Sequence, residues 1–425
     1  MDIYEDLTWR GLINQATDEK LGAILAEKPR TLYAGFDPTA DSLHVGHFVP
    51  LMNLRRFQKA GHSPIALLGG ATGMIGDPSG KSEERNLQSE EDVRKNIESI
   101  RKQMERFLDF DAGKYSAKLA NNNDWIGKFS YLEFLRDVGK HFPVNVMLAK
   151  DSVKQRLERT DSGLSYTEFS YMLLQAYDFV HLRRKFNCEL QIGGSDQWGN
   201  ITAGIDLARR MDSVQLYGIT FPLLMKSDGK KMGKTESGTL WLDAGKTSPY
   251  QFFQYWINLD DADVEKVLCF FTEIPQEELR SICDEHEKDP SKRNAQKCLA
   301  EELTRLVHGE DGLNIAVKAT EIFFGGEISR LNDAQLSSIF ADVPSCELAK
   351  SMLADELPLT DALCSVKLAS SKGEARRTIQ QGGVYINNKP VGDDVERKLT
   401  PSDLASETVI VLRSGKKRYG LLRFV

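Results

Sequence analysis

The chain has 425 residues, which is long for one domain and predicts about three domains of roughly 150 residues each. Hydrophobic residues make up 41% and charged residues 28%, and no run approaches the roughly 18 apolar residues of a membrane span, so we expect a soluble protein without a membrane partner. The acidic amino terminus lacks a secretion or import pattern and the six cysteines lie at least 14 residues apart, so we predict a cytoplasmic protein with reduced thiols and no structural metal.

The net charge of −7 is unevenly distributed along the chain. Residues 357–425 hold 12 Lys and Arg against 7 Asp and Glu, a surplus of +5, which leaves −12 for residues 1–356. A basic tail on an acidic protein indicates an RNA partner, and charge runs that are merely solvated are the alternative. The expected phosphate contacts are Arg376 and Arg377 on a predicted basic helix and, in the turn of a predicted hairpin, the hairpin cations Lys416, Lys417 and Arg418.

Strands and helices alternate in the first 240 residues, which predicts an α/β domain with a Rossmann-like parallel sheet. Residues 31–36 predict a buried strand, and a helix is expected from about His47 to Gly61 with Pro50 in its first turn. Residues 65–68 predict a second strand that ends in a glycine-rich run. The apolar stripe of residues 93–107, capped by Ser89, predicts a helix with a purely structural role.

A second cycle of strand and helix is predicted at residues 189–194 and 201–211, with the apolar residues 223–225 as a last strand. Residues 120–188 between the two cycles predict a mostly helical insertion.

Beyond residue 240 the predicted organisation changes. We predict an all-helical domain over 241–326, a linker over 327–356, and a small α+β RNA-binding module over 357–425. In the module, Ser371 and Glu374 open the basic helix, and two strands that meet at Ser414 and Gly415 form the hairpin.

Two histidines lie where the first long helix is predicted to start, in the sequence HVGH at 44–47. His44 and His47 would share a ligand with unpaired backbone N–H groups and the positive end of the helix dipole, which favours polyphosphate. Gly46 would leave space for an adenine ring or ribose. The alternative is a pair of surface histidines at a helix cap.

Two lysines three residues apart occupy a glycine-rich loop, in the sequence KMGKT at 231–235. Lys231 and Lys234 can meet the negative charge that develops on pyrophosphate, and Thr235 adds a hydroxyl. The alternative is a solvated Lys/Gly loop, which the preceding predicted strand disfavours. Together the two motifs indicate a nucleotidyl-transfer site.

The two motifs resemble the HIGH and KMSKS signatures of class I aminoacyl-tRNA synthetases. Further blocks resemble the bacterial tyrosyl-tRNA synthetases almost without gaps and cover essentially the whole chain. They are Tyr33, DPTADSLH at 37–44, GMIGDPSGK at 73–81, YMLLQAYD at 171–178 and GGSDQWGN at 193–200.

The resemblance implies tyrosine activation by ATP to tyrosyl-adenylate and pyrophosphate, and transfer to the terminal ribose of tRNA(Tyr). It also implies Mg²⁺ on the phosphates and a homodimer, for which the apolar residues 131–135 are a candidate surface. It assigns Tyr33 and Asp178 to the phenol, Asp77, Tyr171 and Gln175 to the α-ammonium, and Gln191 and Gln197 to the carboxylate and ribose. It assigns to ATP or the adenylate Gly35, Asp37, Thr39, His44, Gly46, His47, Gly194, Asp196, Gln197, Lys231 and Lys234. Lys81 and Arg85 would reach toward pyrophosphate and the tRNA end.

The phenol assignment has a physical reason of its own, because a buried phenol needs a hydrogen-bond acceptor and a donor, which Asp178 and Tyr33 can supply. Three positions depart from relatives: Ala34 replaces a cysteine of some members, the loop has KMGKT in place of KMSKS, and Pro50 is variable. The alternatives are a tryptophanyl enzyme, a non-catalytic RNA-binding or splicing factor, and a kinase, although residues 76–82 fail the P-loop spacing.

Overall fold

The computed structural model describes residues 2–79, 88–150, 153–154, 164–235, 238–328, 331–341 and 343–425, with only the backbone of Lys234 and Thr235. Its internal contacts divide the chain into two compact units. The first unit comprises Met1–Asp243 and Leu259–Leu299, and the second comprises Ala244–Asn258 and Ala300–Val425. The predicted domain boundaries stay a prediction. In the described ranges no helix is long and apolar enough to cross a membrane.

The first unit is built on a sheet that has six strands within the described residues. Its strands are β1 (Gln15–Ala16), β2 (Thr31–Phe36), β3 (Ser63–Leu68), β4 (Lys118–Asn121), β5 (Cys188–Gly194) and β6 (Tyr217–Phe221). They lie in the order β1-β6-β5-β2-β3-β4, and all pairs are parallel except that of β1 with β6. The predicted parallel sheet is confirmed.

Helices pack around this sheet, and the unit also contains a short ribbon of β7 (Lys234–Thr235) and β8 (Gly238–Thr239). The helices up to the insertion are α1 (Ile3–Trp9), α2 (Leu21–Glu27), α3 (Val45–Lys59), α4 (Thr72–Ile75) and α5 (Glu90–Met104). The later ones are α6 (Asn123–Ile126), α7 (Tyr131–Asp137), α8 (Val144–Leu148), α9 (Tyr166–Phe186), α10 (Trp198–Asp212), α12 (Asp261–Phe271) and α13 (Gln276–Lys288).

Three elements of the sheet region differ from the sequence prediction. Helix α3 begins at Val45, so Pro50 lies in its second turn. Strand β4 starts at Lys118, before the predicted helical insertion, and extends into its first two residues; it pairs in parallel with β3. The predicted last strand at 223–225 is wrong, because β6 ends at Phe221 and Pro222 follows it; proline has no N–H for a ladder.

The strand order reverses between β2 and β5. From β2 the chain moves outward through β3 and β4, and it then returns to the other side of β2 for β5 and β6. The carboxyl ends of β2 and β5 therefore flank a topological switch point, the position at which parallel α/β sheets bind ligands. Tyr33 pairs with Ile65 on one side and with Gln191 on the other.

The second unit combines helices with a small mixed sheet. Its helices are α11 (Pro249–Ile257), the part of α14 (Asn294–Phe323) from Ala300 onward, α15 (Asp333–Ile339), α16 (Lys350–Ala354), α17 (Leu359–Ser365) and α18 (Lys372–Gln380). Its strands are β9 (Ser345–Leu348), β10 (Leu357–Pro358), β11 (Val384–Ile386), β12 (Lys389–Pro390), β13 (Lys398–Leu399), β14 (Val409–Ser414) and β15 (Arg418–Phe424). The predicted basic helix and hairpin are confirmed as α18 and the β14–β15 pair.

The segment predicted as a linker contains regular structure. Within 327–356, α15 packs into an apolar cluster with residues of β14 and β15, and β9 pairs in parallel with β15. Asn388 extends this packing, since its amide donates to the carbonyls of Ile322 and Gly326 at 2.8 Å each. The end of α14 and the carboxyl-terminal sheet are thus one packed body within this unit.

Candidate active site

A cavity of about 430 Å³ opens at the switch point of the first unit, above β2 and β5. The structure brings together there all the predicted substrate ligands whose side chains it describes. These are Tyr33, Gly35, Asp37, Thr39, His44, Gly46, His47, Asp77, Tyr171, Gln175, Asp178, Gln191, Gly194, Asp196, Gln197 and Lys231. The side chains of Lys234 and Thr235, and the whole of Lys81 and Arg85, lie outside the described residues.

The deep end of the cavity holds a phenol and a carboxylate. Tyr33 is fully buried, burial raises its pKa well above the usual value, and its hydroxyl has no hydrogen-bond partner among the described residues. Asp178 is buried beside it and accepts from Trp125 Nε1 at 2.8 Å and from Asn122 Nδ2 at 3.0 Å. Burial raises the pKa of Asp178 to about 7, while these two hydrogen bonds lower it.

A second buried polar atom at this end also has no described partner. Gln191 lies on β5 directly beside Tyr33, and its Oε1 makes no hydrogen bond within the described residues. Buried polar atoms without partners are rare in folded proteins, so two neighbouring ones at a cavity point to a ligand that completes them.

Carboxylates and amides line the middle of the cavity. Gln197 Nε2 donates to Asp77 Oδ2 at 2.7 Å, and Gln175 Nε2 donates to Gln197 Oε1 at 3.3 Å. Burial and the charge of Asp77 raise the pKa of Asp196, while the charge of Lys231 lowers it. Such a group of carboxylates and amide oxygens attracts a cationic ligand group.

Tyr171 lines the cavity and contacts Asp37. Its hydroxyl donates to Asp37 Oδ2 at 2.9 Å, and Thr72 Oγ1 donates to Asp37 Oδ1 at 2.8 Å. Burial, followed by the charges of Asp37 and Asp77, raises the pKa of Tyr171. Both oxygens of Asp37 are thereby oriented within the cavity wall.

The two histidines form the start of α3. His44 is the N-cap, and its Nδ1 accepts from Gly46 N–H at 3.0 Å. The rings of His44 and His47 stack with centroids 3.9 Å apart. A Cβ at Gly46 would lie 2.8 Å from His44 Cε1, so a larger residue here would force the histidine ring to shift.

The lysine loop is tied to that helix start by backbone hydrogen bonds. Leu240 N–H donates to Gly233 O at 2.8 Å, and Val45 N–H donates to Leu240 O at 3.2 Å. Gly233 has a φ of 84°, and a Cβ there would lie 2.9 Å from Val45 Cβ. The histidine and lysine motifs, which are remote in sequence, therefore face the same cavity through a short shared ladder.

Sequence reasoning missed Asn122, Trp125 and Thr72. Asn122 Nδ2 also donates to Thr72 Oγ1 at 3.0 Å, so these side chains join Asp178 to Asp37. The available signal was the run of three asparagines at 121–123, which begins at the last residue of β4. That strand has to be recognised before the signal has any meaning.

The predicted tail contacts belong to the second unit. Arg376 and Arg377 are exposed on α18, and the hairpin cations are exposed between β14 and β15. In the described part of the chain no group of three or more His, Cys, Asp or Glu side chains is placed to hold a metal ion.

Comparison with known proteins agrees with this arrangement. The family described as tRNA synthetases class I (W and Y) matches residues 25–325, and the tyrosine–tRNA ligase SYY-like C-terminal domain matches residues 335–422. The tyrosine–tRNA ligase of Rhodopirellula baltica is 59% identical over 99% of this chain and 96% of its own, and that of Bacillus velezensis is 53% identical over 100% of both.

A solved structure extends the likeness to three dimensions. The truncated mitochondrial tyrosyl-tRNA synthetase of Aspergillus nidulans matches with a TM-score of 0.68 and 34% identity, over 76% of this chain and 94% of its own. Full-length similarity to these enzymes and the match to their carboxyl-terminal domain distinguish the tyrosyl from the tryptophanyl branch. The chain therefore belongs to the class I tRNA synthetases and, within them, to the bacterial-type tyrosine–tRNA ligases.

Proposed function

We propose that this chain ligates tyrosine to tRNA(Tyr) and that the cavity at the switch point performs the activation step. A carboxylate oxygen of tyrosine attacks the α-phosphorus of ATP, the bond to the β-phosphate oxygen breaks, and pyrophosphate leaves. A terminal ribose hydroxyl of tRNA then takes the tyrosyl group and releases AMP. The observation that carries the proposal is the unpartnered Tyr33 hydroxyl beside the Asp178 carboxylate.

The deep end of the cavity would select the phenol. Tyr33 would donate to the phenol oxygen, and Asp178 would accept the phenol proton on an oxygen that Asn122 and Trp125 already orient. Phenylalanine would leave both groups buried without a partner, which opposes its binding. Tryptophan would present an N–H donor and no acceptor for Tyr33.

The middle of the cavity would hold the α-ammonium and carboxylate groups of the tyrosine substrate. Asp77, Tyr171 and Gln175 would bind the α-ammonium, and Gln191 would face the tyrosine on the β5 side. Asp37, which accepts from Tyr171, would line the adenylate. Gln197 and the backbone around Gly194 would contact the carboxylate and ribose. The excess of carboxylates matches the positive charge of the ammonium.

The open end would bind ATP and stabilise the charge of the leaving pyrophosphate. His44 and His47 stand at the N-terminus of a 15-residue helix, where backbone N–H groups and the helix dipole favour phosphate. Lys231 and Lys234 would act on the charge that appears in the transition state, with Thr235 as a further donor. Gly35, Thr39 and Asp196 would border the adenosine, and Mg²⁺ would enter bound to the phosphates.

The tRNA and a second subunit would use other surfaces. Arg376, Arg377 and the hairpin cations would contact tRNA phosphates, and Lys81 and Arg85 would meet its acceptor end. Tyr131 and Leu132 on α7 are 64% and 76% exposed, which supports a homodimer through this face. Sedimentation should find a dimer at micromolar concentration, and Leu132→Glu should shift it toward monomer; a fully active wild-type monomer would exclude the dimer. We expect the enzyme to work in the cytoplasm.

The activity is tested by ATP–pyrophosphate exchange with each of the twenty amino acids, followed by charging of tRNA(Tyr). Exchange should depend on tyrosine alone, with phenylalanine far weaker. Exchange driven by tryptophan would overturn the specificity, and no exchange with any amino acid would favour a non-catalytic RNA-binding protein.

A further inference from the structure

Side-chain amides of helix α5 hold the loop that joins β2 to α3. Asn96 Nδ2 donates to Pro38 O at 2.9 Å, and Gln103 Oε1 accepts from Leu43 N–H at 2.9 Å. Gln88, just before the helix, donates from Nε2 to Thr39 O at 3.0 Å. The helix therefore contacts the backbone near both ends of residues 38–43, the loop that precedes His44.

The sequence of α5 explains how it can do this. Asn96 and Gln103 are seven residues apart, so they lie two turns apart on one face, about 10 Å along the axis. Each follows a buried stripe residue by three positions, Asn96 after Val93 and Gln103 after Ile100. They therefore border the face that packs against the core, and both are half-buried.

The opposite edge of the loop is held by the segment that follows the lysine motif. Leu242 N–H donates to Leu43 O at 2.9 Å, and Asp243 N–H donates to Ser42 Oγ at 3.2 Å. Leu43 is thus bound through its N–H to Gln103 and through its carbonyl to Leu242. The next residue is His44, so the placement of the helix cap depends on both bonds.

We propose that Asn96 and Gln103 are positioning residues for adenylate formation. They fix the backbone that carries Asp37 and Thr39 at one end and His44 at the other, and so set the spacing between the adenosine and phosphate ends of the cavity. This inference rests on the proposed role of those three residues in binding ATP. It gives a part in the reaction to a helix whose sequence pattern indicates structure alone.

The two amides use opposite halves of the same functional group, which provides the test. Asn96 acts as a donor, so Asn96→Asp would set a carboxylate oxygen against the Pro38 carbonyl oxygen. Gln103 acts as an acceptor for Leu43, so Gln103→Glu keeps that bond, whereas Gln103→Leu removes it and leaves the Leu43 N–H without this partner. Asn96→Asp and Gln103→Glu add the same charge to the same helix and form a matched pair.

The measurements are kcat and KM for ATP and for tyrosine in exchange, the calorimetric affinity of the full chain for a non-hydrolysable ATP analogue, and thermal melting. Gln103→Leu should lower kcat/KM for ATP about fivefold, the value of one uncharged hydrogen bond, and Asn96→Asp about tenfold or more. Gln103→Glu should stay within about twofold of wild type. The KM for tyrosine should be unchanged in all three, and Glu98→Leu, at an exposed position of α5, is the control for surface changes.

Equal losses in Asn96→Asp and Gln103→Glu would overturn the proposal, because charge and not the donor–acceptor pattern would then be responsible. Equal losses toward ATP and tyrosine, in proportion to a lower melting temperature, would also overturn it by showing a purely structural role. If Asn96→Asp does not fold, Asn96→Ala removes the donor without added charge and should give about the fivefold loss. A wild-type protein without tyrosine-dependent exchange would refute the proposed function, while analogue affinity would still test the loop.

Discussion

The Tyr33 hydroxyl allows a prediction in which stability and selectivity change in opposite directions. In the structure this hydroxyl is fully buried and has no partner among the described residues. With tyrosine bound, it would donate to the substrate phenol. Tyr33→Phe removes the hydroxyl both with and without bound tyrosine. It leaves the aromatic ring, which packs edge-on against Phe179 with ring centroids 5.2 Å apart.

The expected magnitudes follow from the two environments. Loss of one uncharged hydrogen bond to substrate costs about 1 kcal/mol, so kcat/KM for tyrosine should fall about fivefold while that for phenylalanine does not fall. Removal of a buried hydroxyl without a partner relieves about 1 to 3 kcal/mol in the ligand-free protein. The melting temperature of Tyr33→Phe should therefore rise by about 2 °C or more.

The assay combines exchange kinetics with both amino acids and thermal melting without ligand. Tyr177→Phe is the matched control, since it removes the same atom from a tyrosine that packs on Phe129 and does not line the cavity. The control should leave selectivity unchanged. A lower melting temperature for Tyr33→Phe with unchanged selectivity would refute the reasoning, because the hydroxyl would then be bonded within the protein and not to the substrate.

Four further predictions concern charge and the tail. Burial raises the pKa of Asp178 from 3.8 to about 7, so kcat/KM for tyrosine should fall as pH decreases through 7 and the carboxylate that accepts from the phenol becomes protonated. The protonated carboxyl stabilises the folded state below pH 4, and this contribution is lost as pH rises through 7. Asp178→Asn should therefore make the free energy of unfolding, measured with denaturant, depend less on pH. His47→Gly and Lys234→Ala should slow adenylate formation about tenfold or more in rapid-mixing experiments, and a change in tyrosine affinity alone would contradict their assigned role. Deletion of 357–425 should preserve exchange and abolish most tRNA charging, and equal loss of both would show that the tail supports the catalytic unit. Replacing the hairpin cations with serine should make the salt dependence of tRNA binding shallower by roughly 0.7 to 0.9 log units per lost contact, and an unchanged slope would mean a solvated turn.

The deletion in that series has a structural complication and a remedy. Cutting before residue 357 leaves α15 and β9 without the strands they pack against. A deletion that starts at residue 327 removes those two elements as well. We expect the longer deletion to be the better behaved protein and to show the same separation of exchange from charging.

The sequence predicts the site better than it predicts the sheet edges. Cavity residues such as His44 and Lys231 lie in signatures whose chemistry is local, so residue type and spacing are enough to place them together. Strands β4 and β6 were missed or displaced because each is short and mixes polar or glycine residues with apolar ones, while the more apolar residues 223–225 are not a strand. Pairing with a neighbouring strand, which no short window contains, decides such cases.

The supporting side chains show the same limit in a different form. Asn122, Trp125 and Asn96 act through partners 53 to 58 residues away, and a single sequence does not reveal such distances. Their roles follow only when the strand order brings the loops to one edge. The residues that line the cavity were therefore predictable from the sequence, whereas the side chains that orient them were not.

The ladder between the two signatures defines what can be exchanged between related enzymes. Gly233, Leu240 and Val45 are joined by two backbone hydrogen bonds, and Gly233 leaves no room for a side chain against Val45. A graft of the five signature residues alone would leave out Leu240, whose backbone joins the lysine loop to the helix start. The smallest segment of the lysine site that can be exchanged as a unit is accordingly 225–243. Chimaeras with a junction inside this segment should lose activity more often than chimaeras with junctions at its ends.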